Sequence, residues 1–165
     1  MNPHILTARP DTESQSFFDE QRRKYFPSER NLLNAHLTLF HKFPCNPLAE
    51  SKLQTLVALV DKPMPAKVFE IRNIGYGVAY FIKCLPLETL HHNLGAGFEN
   101  ELSGQDRQKF QPHITIQNKV HPQEAKKLFV SLTQFFEPFD MTITGLDLWF
   151  YLNGPWKHDR YYPFQ

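Results

Sequence analysis

One short pattern occurs twice in this chain: Ala35-His36-Leu37-Thr38-Leu39 and Pro112-His113-Ile114-Thr115-Ile116, each reading His-apolar-Thr-apolar. Side chains of an extended strand alternate between faces, so each His shares a face with the Thr two residues on, while Leu37/Leu39 and Ile114/Ile116 point the other way. The spacing therefore predicts two strands, each with one side for a core and one side carrying an imidazole and a hydroxyl. A single copy is what any half-buried strand with a satisfied His looks like. Two copies among eight His tie both strands to one role.

The segments around the motifs also repeat. A strand at His4–Arg9 ends at Pro10, and Asp11 is placed to cap a helix bearing Phe17, Phe18 and Tyr25 that Pro27 stops. The first motif strand continues through Phe40 towards Lys42. Asn46-Pro47 then caps a helix with Ala49, Leu53, Leu56, Val57 and Val60 on one face, and a strand through Val68-Phe69-Glu70-Ile71 closes near Gly75. The second half runs through the same series: a strand at Gly77–Cys84, a helix from Pro86 carrying Leu87, Leu90, Leu94, Phe98 and Leu102, and the second motif. His121-Pro122 starts a helix with Ala125, Leu128, Phe129, Leu132 and Phe136, and the strand Phe139-Asp140-Met141 runs to Gly145. A terminal hairpin, Leu146–Leu152 with Tyr161–Phe164, turns at Asn153-Gly154-Pro155. The order predicts an α+β fold: a single domain over residues 1–165, bilobal, built from duplicated βαβαβ units (approximately 4–75 and 77–164). A pseudo-twofold axis relates the units, and antiparallel-rich sheets line a central cleft where the two polar strand faces meet.

A length of 165 residues suits one domain with a real core. Eighteen basic against seventeen acidic side chains leave a net charge of +1, which excludes a strong field for a long polyanion, so a nucleic-acid substrate would be held at an end. Cys45 and Cys84 stand in no metal-like spacing, and a reducing compartment is expected. Met1-Asn2-Pro3-His4-Ile5-Leu6 lacks the basic and apolar regions of a leader, and no run is long and apolar enough to span a bilayer. The expectation is a cytoplasmic protein without membrane contact, acting as a monomer.

Two imidazoles near neutral pH suit a reaction in which one proton is removed and another delivered. Thr hydroxyls beside them can donate to anionic oxygens placed between. A phosphodiester fits both demands, and the arrangement needs no metal or other cofactor. His91 and His92 are adjacent on a helix, His41, His121 and His158 lack a matching ligand set, and no zinc site is predicted.

The paired motifs resemble those of the two-histidine phosphoesterase superfamily, specifically its 2′-5′ RNA ligase-like, cyclic phosphodiesterase branch; element order, motif spacing and length all fit. The resemblance implies a bilobal fold with a central groove and metal-independent cleavage of 2′,3′-cyclic phosphates or 2′-5′ linkages, reversible as ligation in some members. It implies His36 and His113 as the acid/base pair and Thr38 and Thr115 as phosphate donors. Several relatives carry an Arg five residues after the second His, where this chain has Asn118, followed by Lys119 as a substitute if the strand bends. The expected partner is a nucleotide or RNA end with a cyclic phosphate, opened to a 2′-phosphate. The alternatives are a 2′-5′ ligase or phosphodiesterase on oligonucleotides and a non-catalytic nucleotide-binding module. A base would need an aromatic platform, for which Tyr76, Tyr80, Trp149, Tyr151, Trp156, Tyr161 and Tyr162 are candidates; Phe40, two residues past Thr38, is placed either to floor the groove or to close the core of its lobe. Arg22-Arg23-Lys24, Lys126-Lys127 and Lys157-His158-Asp159-Arg160 read as solvated faces.

Overall fold

The computed structural model describes residues 4–165; Met1-Asn2-Pro3, part of the stretch read above for a leader, lie outside them. The first unit comprises β1 (His4–Pro10), α1 (Thr12–Tyr25), β2 (Leu37–Phe43), α2 (Pro47–Ala58) and β3 (Met64–Asn73). The second comprises β4 (Val78–Lys83), α3 (Leu85–Gly95), β5 (His113–Gln117), α4 (Pro122–Thr133) and β6 (Phe139–Tyr151), after which β7 (Trp156–Pro163) folds back on β6. The caps read from sequence form: Asp11 accepts the Ser14 N–H at 2.8 Å and Asn46 that of Ala49 at 2.8 Å, each satisfying a helix N–H left without an intrahelical partner. The other Asp11 oxygen accepts the Thr142 N–H at 2.8 Å, pinning α1 to β6.

The strands join antiparallel in the order β2-β1-β6-β3-β4-β5, with β7 on β6. Exchanging the equivalent strands of the two units (β1 with β4, β2 with β5, β3 with β6) reverses this order onto itself. Each unit therefore sends its third strand into the other's sheet: β3 lies on β4, and β6 lies on β1. Ile143 is paired with both Pro10 and Met64, so β1 and β3 flank β6 from opposite sides. The motif strands β2 and β5 end the path, yet they pack on each other, because the sheet is curled. The result is the α+β, two-lobed, antiparallel architecture that the sequence order predicts, with the motifs where the lobes meet.

Three local differences have physical causes. First, α3 stops at Gly95 rather than running to Leu102: Ala96 is extended and Gly97 takes φ +89, so Phe98 and Leu102 reach the core from turns. Second, β6 runs straight through Gly145, which is required there because a Cβ would meet the Tyr162 carbonyl oxygen at 2.5 Å. Third, β2 bulges against β1: Leu6 pairs with Phe40 and Thr7 with Thr38, which leaves Leu39 as an extra residue. After a bulge the alternation of faces inverts. Leu39 and Phe40 are consequently both buried, Phe40 completely.

Candidate active site

His36 stands immediately before β2, held there by α1. The Asp19 carboxylate accepts the Ala35 N–H at 2.7 Å, and the Gln15 side-chain amide donates to the Ala35 carbonyl at 2.8 Å and to Asp19 at 2.9 Å. Both backbone groups of the residue preceding His36 are thereby fixed. His113 opens β5 opposite Phe81 of β4, and the two rings stack with centroids 5.0 Å apart at 18°.

The two imidazoles share one local device. His36 Nδ1 lies 2.8 Å from the Asn34 carbonyl oxygen, and His113 Nδ1 lies 2.7 Å from that of Gln111, two residues upstream in each case. A carbonyl only accepts, so Nδ1 carries the hydrogen in both rings, and Nε2 holds the lone pair when the ring is neutral. Thr38 and Thr115 follow at half-buried positions on their strands. Burial pushes His36 down to about 4, with the positive charge of Arg22 and the fields of His41 and His113 acting in the same direction against the Asn34 carbonyl. At neutral pH the His36 imidazole is uncharged.

Beside His36 opens a pocket of about 450 Å³, walled by Trp149, Trp156, Asn34, Arg9 and Asp147 among others. The Trp156 ring lies 4.7 Å from the His36 ring at 54°, and Trp149 lies 6.1 Å from Trp156, fixed by its indole N–H donating to Thr7 Oγ1 at 2.9 Å. Arg9 is oriented by the buried Asp147 through two bonds of 2.9 and 2.6 Å. Of the seven aromatic candidates, the two tryptophans reach this pocket.

Other assignments need correction. Phe40 does not floor the groove: the β2 bulge turns it into the core against Phe43 and His91, leaving it no surface for a substrate. Tyr161 does not line the pocket but backs it, its ring lying under the Arg9 guanidinium at 3.5 Å and its hydroxyl donating to the Thr144 carbonyl at 3.2 Å. Lys119 falls past the end of β5 in a left-handed turn at φ 63, with an exposed side chain. Arg22, assigned above to a solvated face, is buried at 4% exposure. Its signal lay in helical spacing, since Ser14, Phe18 and Arg22 recur every four residues on the buried face of α1. His91, considered above only as a metal ligand, falls between Leu87, Leu90 and Leu94 on the packed stripe of α3.

An antiparallel α+β fold of two units, in which the two His-x-Thr strands β2 and β5 pack on each other, is the type of architecture that the repeated motif predicts. The sequence model of the 2′-5′ RNA ligase superfamily matches residues 10–155, and the chain belongs to that family. No curated protein matches by sequence. Among solved structures, TT0787 of Thermus thermophilus superposes with a TM-score of 0.67 at 16% identity, over 98% of this chain and 97% of its own. Escherichia coli LigT complexed with 3′-AMP superposes at 0.63 and 15% identity, over 99% and 98%. A structure described as a phosphoesterase gives 0.56 at 18% identity, over 99% and 95%. At these identities the likeness is one of fold.

Proposed function

We propose that the protein opens 2′,3′-cyclic phosphates of nucleotides or RNA ends to 2′-phosphates by metal-independent acid/base catalysis. The observation that carries this reading is the matched pair of imidazoles, each with Nδ1 tied to a carbonyl and Nε2 left for proton transfer. His36, neutral because half-buried and within the field of Arg22, takes a proton from water; the oxygen attacks phosphorus as the bond to the 3′ oxygen breaks. His113 in its protonated form delivers a proton to that leaving oxygen. Thr38 and Thr115 donate to the non-bridging oxygens, where negative charge builds. The tryptophan-walled pocket supports a nucleotide substrate, since it is roomy enough for a nucleoside and stacking on such a ring contributes about 1–3 kcal/mol per base. LigT has been solved with 3′-AMP and with NADP+, so the fold accommodates nucleotides in that protein.

The deciding experiment incubates EDTA-treated protein, with His36→Ala and His113→Ala beside it, with nucleoside 2′,3′-cyclic phosphates and a short RNA with a cyclic end. A 2′-phosphate made by the wild type and lost by about 10²–10⁴ in each variant supports the reading. The double variant should lose less than the product of the two, because the groups act as a unit. Activity abolished by chelation, or turnover only of 2′-5′ linkages, would refute it.

A further inference from the structure

Each motif strand is held from behind by a side chain of the other unit's helix. From α1, the Arg22 Nη1 donates to the carbonyl of Thr115 in β5 at 2.9 Å, while its Nε donates to Asn31 Oδ1 at 3.1 Å in the segment leading to His36. From α3, the His91 Nε2 faces the carbonyl of Leu39 in β2 at 3.1 Å. The His91 ring is sandwiched almost parallel between Phe40 of β2 and Phe110, which lies three residues before His113, with centroids 4.3 and 4.0 Å away. We propose that Arg22 and His91 form a reciprocal clamp across the seam that sets the separation and alignment of His36 and His113, as positioning residues for the acid/base pair. This proposal rests on the phosphoesterase reading of the groove.

The chemistry of both residues supports a positional task. Arg22 is buried over the Phe26 ring at 4.1 Å and has no carboxylate within ion-pair distance among the described residues; its hydrogen bonds run to neutral oxygens. Desolvation lowers it to about 10, so it stays charged at neutral pH. The Asp19 carboxylate on the same helix offsets part of that desolvation without forming an ion pair, and a buried cation so held is a poor way to stabilise a seam that an apolar side chain of similar volume would fill. What an apolar residue cannot supply is a rigid fork of donors reaching two segments at once. For His91, the carbonyl partner requires Nε2–H, and burial, the leading influence, lowers its proton affinity, with the Leu39 carbonyl and Asp106 opposing. The ring therefore serves as a flat neutral donor between two aromatic faces. The groups acting on His36 are Arg22 from α1, His41 from its own strand and His113 from β5, so the clamp also brings a fixed positive charge to bear on one of the histidines it aligns.

The test compares Arg22→Gln, Arg22→Lys, His91→Phe and His91→Gln with wild type by steady-state kinetics on a nucleoside 2′,3′-cyclic phosphate and by NMR titration of the imidazoles. Thermal melts establish folding. Arg22→Gln and His91→Phe are expected to lower kcat about 10–10²-fold with KM nearly unchanged, the signature of misalignment. His91→Gln, which keeps a donor, should recover part of that loss. His36 should titrate higher in Arg22→Gln and return towards wild type in Arg22→Lys, which restores the charge on a side chain of different shape. Folded Arg22→Gln and His91→Phe with unchanged kcat would overturn the clamp. If Arg22→Gln fails to fold, Arg22→Lys and the His91 pair decide by the same criterion. Should the wild type turn over no cyclic phosphate, the functional reading fails on its own account. The titrations then decide the clamp: perturbed His36 and His113 in the Arg22 and His91 variants support it, and unperturbed imidazoles reject it.

Discussion

Tying Nδ1 of a histidine to the carbonyl two residues behind it limits the ring's rotation and commits the other nitrogen to proton exchange. For His36 burial adds a second constraint, and the consequence for pH can be signed. Its folded-state value of about 4 lies below the unfolded 6.5, so the unfolded chain binds the proton first. The stability contribution is complete above about 6.5 and is lost as pH falls towards 4; His41 and His91, also lowered by burial, act in the same direction. Urea midpoints at pH 7, 5.5 and 4.5 should fall in that order and fall less in His36→Ala. With His36 as the proposed base, the acidic limb of kcat/KM should fall near pH 4, and Arg22→Gln should move that limb upward. Phe40→Ala, by contrast, should destabilise by about 3–5 kcal/mol without a specific effect on KM, because its ring belongs wholly to the core. The residues legible in the sequence were those named by a repeated pattern. Arg22 was not, because its charge argued for the wrong environment, and Phe40 stayed open between groove and core; helix phase and an unforeseen bulge placed them.

At the scale of elements, the stretch before β5 has few local signals, and it is fixed from outside. The Asp106 carboxylate, 7% exposed, accepts the N–H groups of His41 and Lys42 on β2 at 2.8 and 2.9 Å and the Ser103 hydroxyl at 3.0 Å. One side chain thus takes the place of a strand partner along the outer edge of β2. Asp106→Ala should cost about 2–4 kcal/mol by leaving those donors unpaired, read from the urea midpoint, with Asp106→Asn intermediate. On the other side of β5, Gly77 approaches so closely that a Cβ would sit 1.8 Å from the Gln117 carbonyl oxygen. Gly77→Ala should therefore displace the end of β5 and lower both stability and activity. Helix starts and strand periods were readable because caps, prolines and alternation are local. The early end of α3 and the docking of residues 103–112 were not, since tertiary partners decide them.

At the scale of the molecule, the order of elements carried the topology class, and the exchange of third strands was what sequence left open. Periodicity reports which face of a strand is buried, not which neighbour covers its edge. The exchange predicts that neither half stands alone: fragments 1–75 and 76–165 should each be unfolded or aggregated by circular dichroism and sedimentation. Mixed after denaturation, they should recover the native spectrum. Only the short turn from Ile74 to Gly77 joins β3 to β4. With that turn cut, the topology is that of a strand-swapped dimer, and the two motif strands, which pack on each other, come one from each half. Joined in one polypeptide, the halves are released from the identity that a symmetric pair must keep. One histidine can sink beside Trp156 and within the field of Arg22 while its counterpart stacks on Phe81, and the proposed reaction, which asks opposite things of two equivalent groups, can be divided between them.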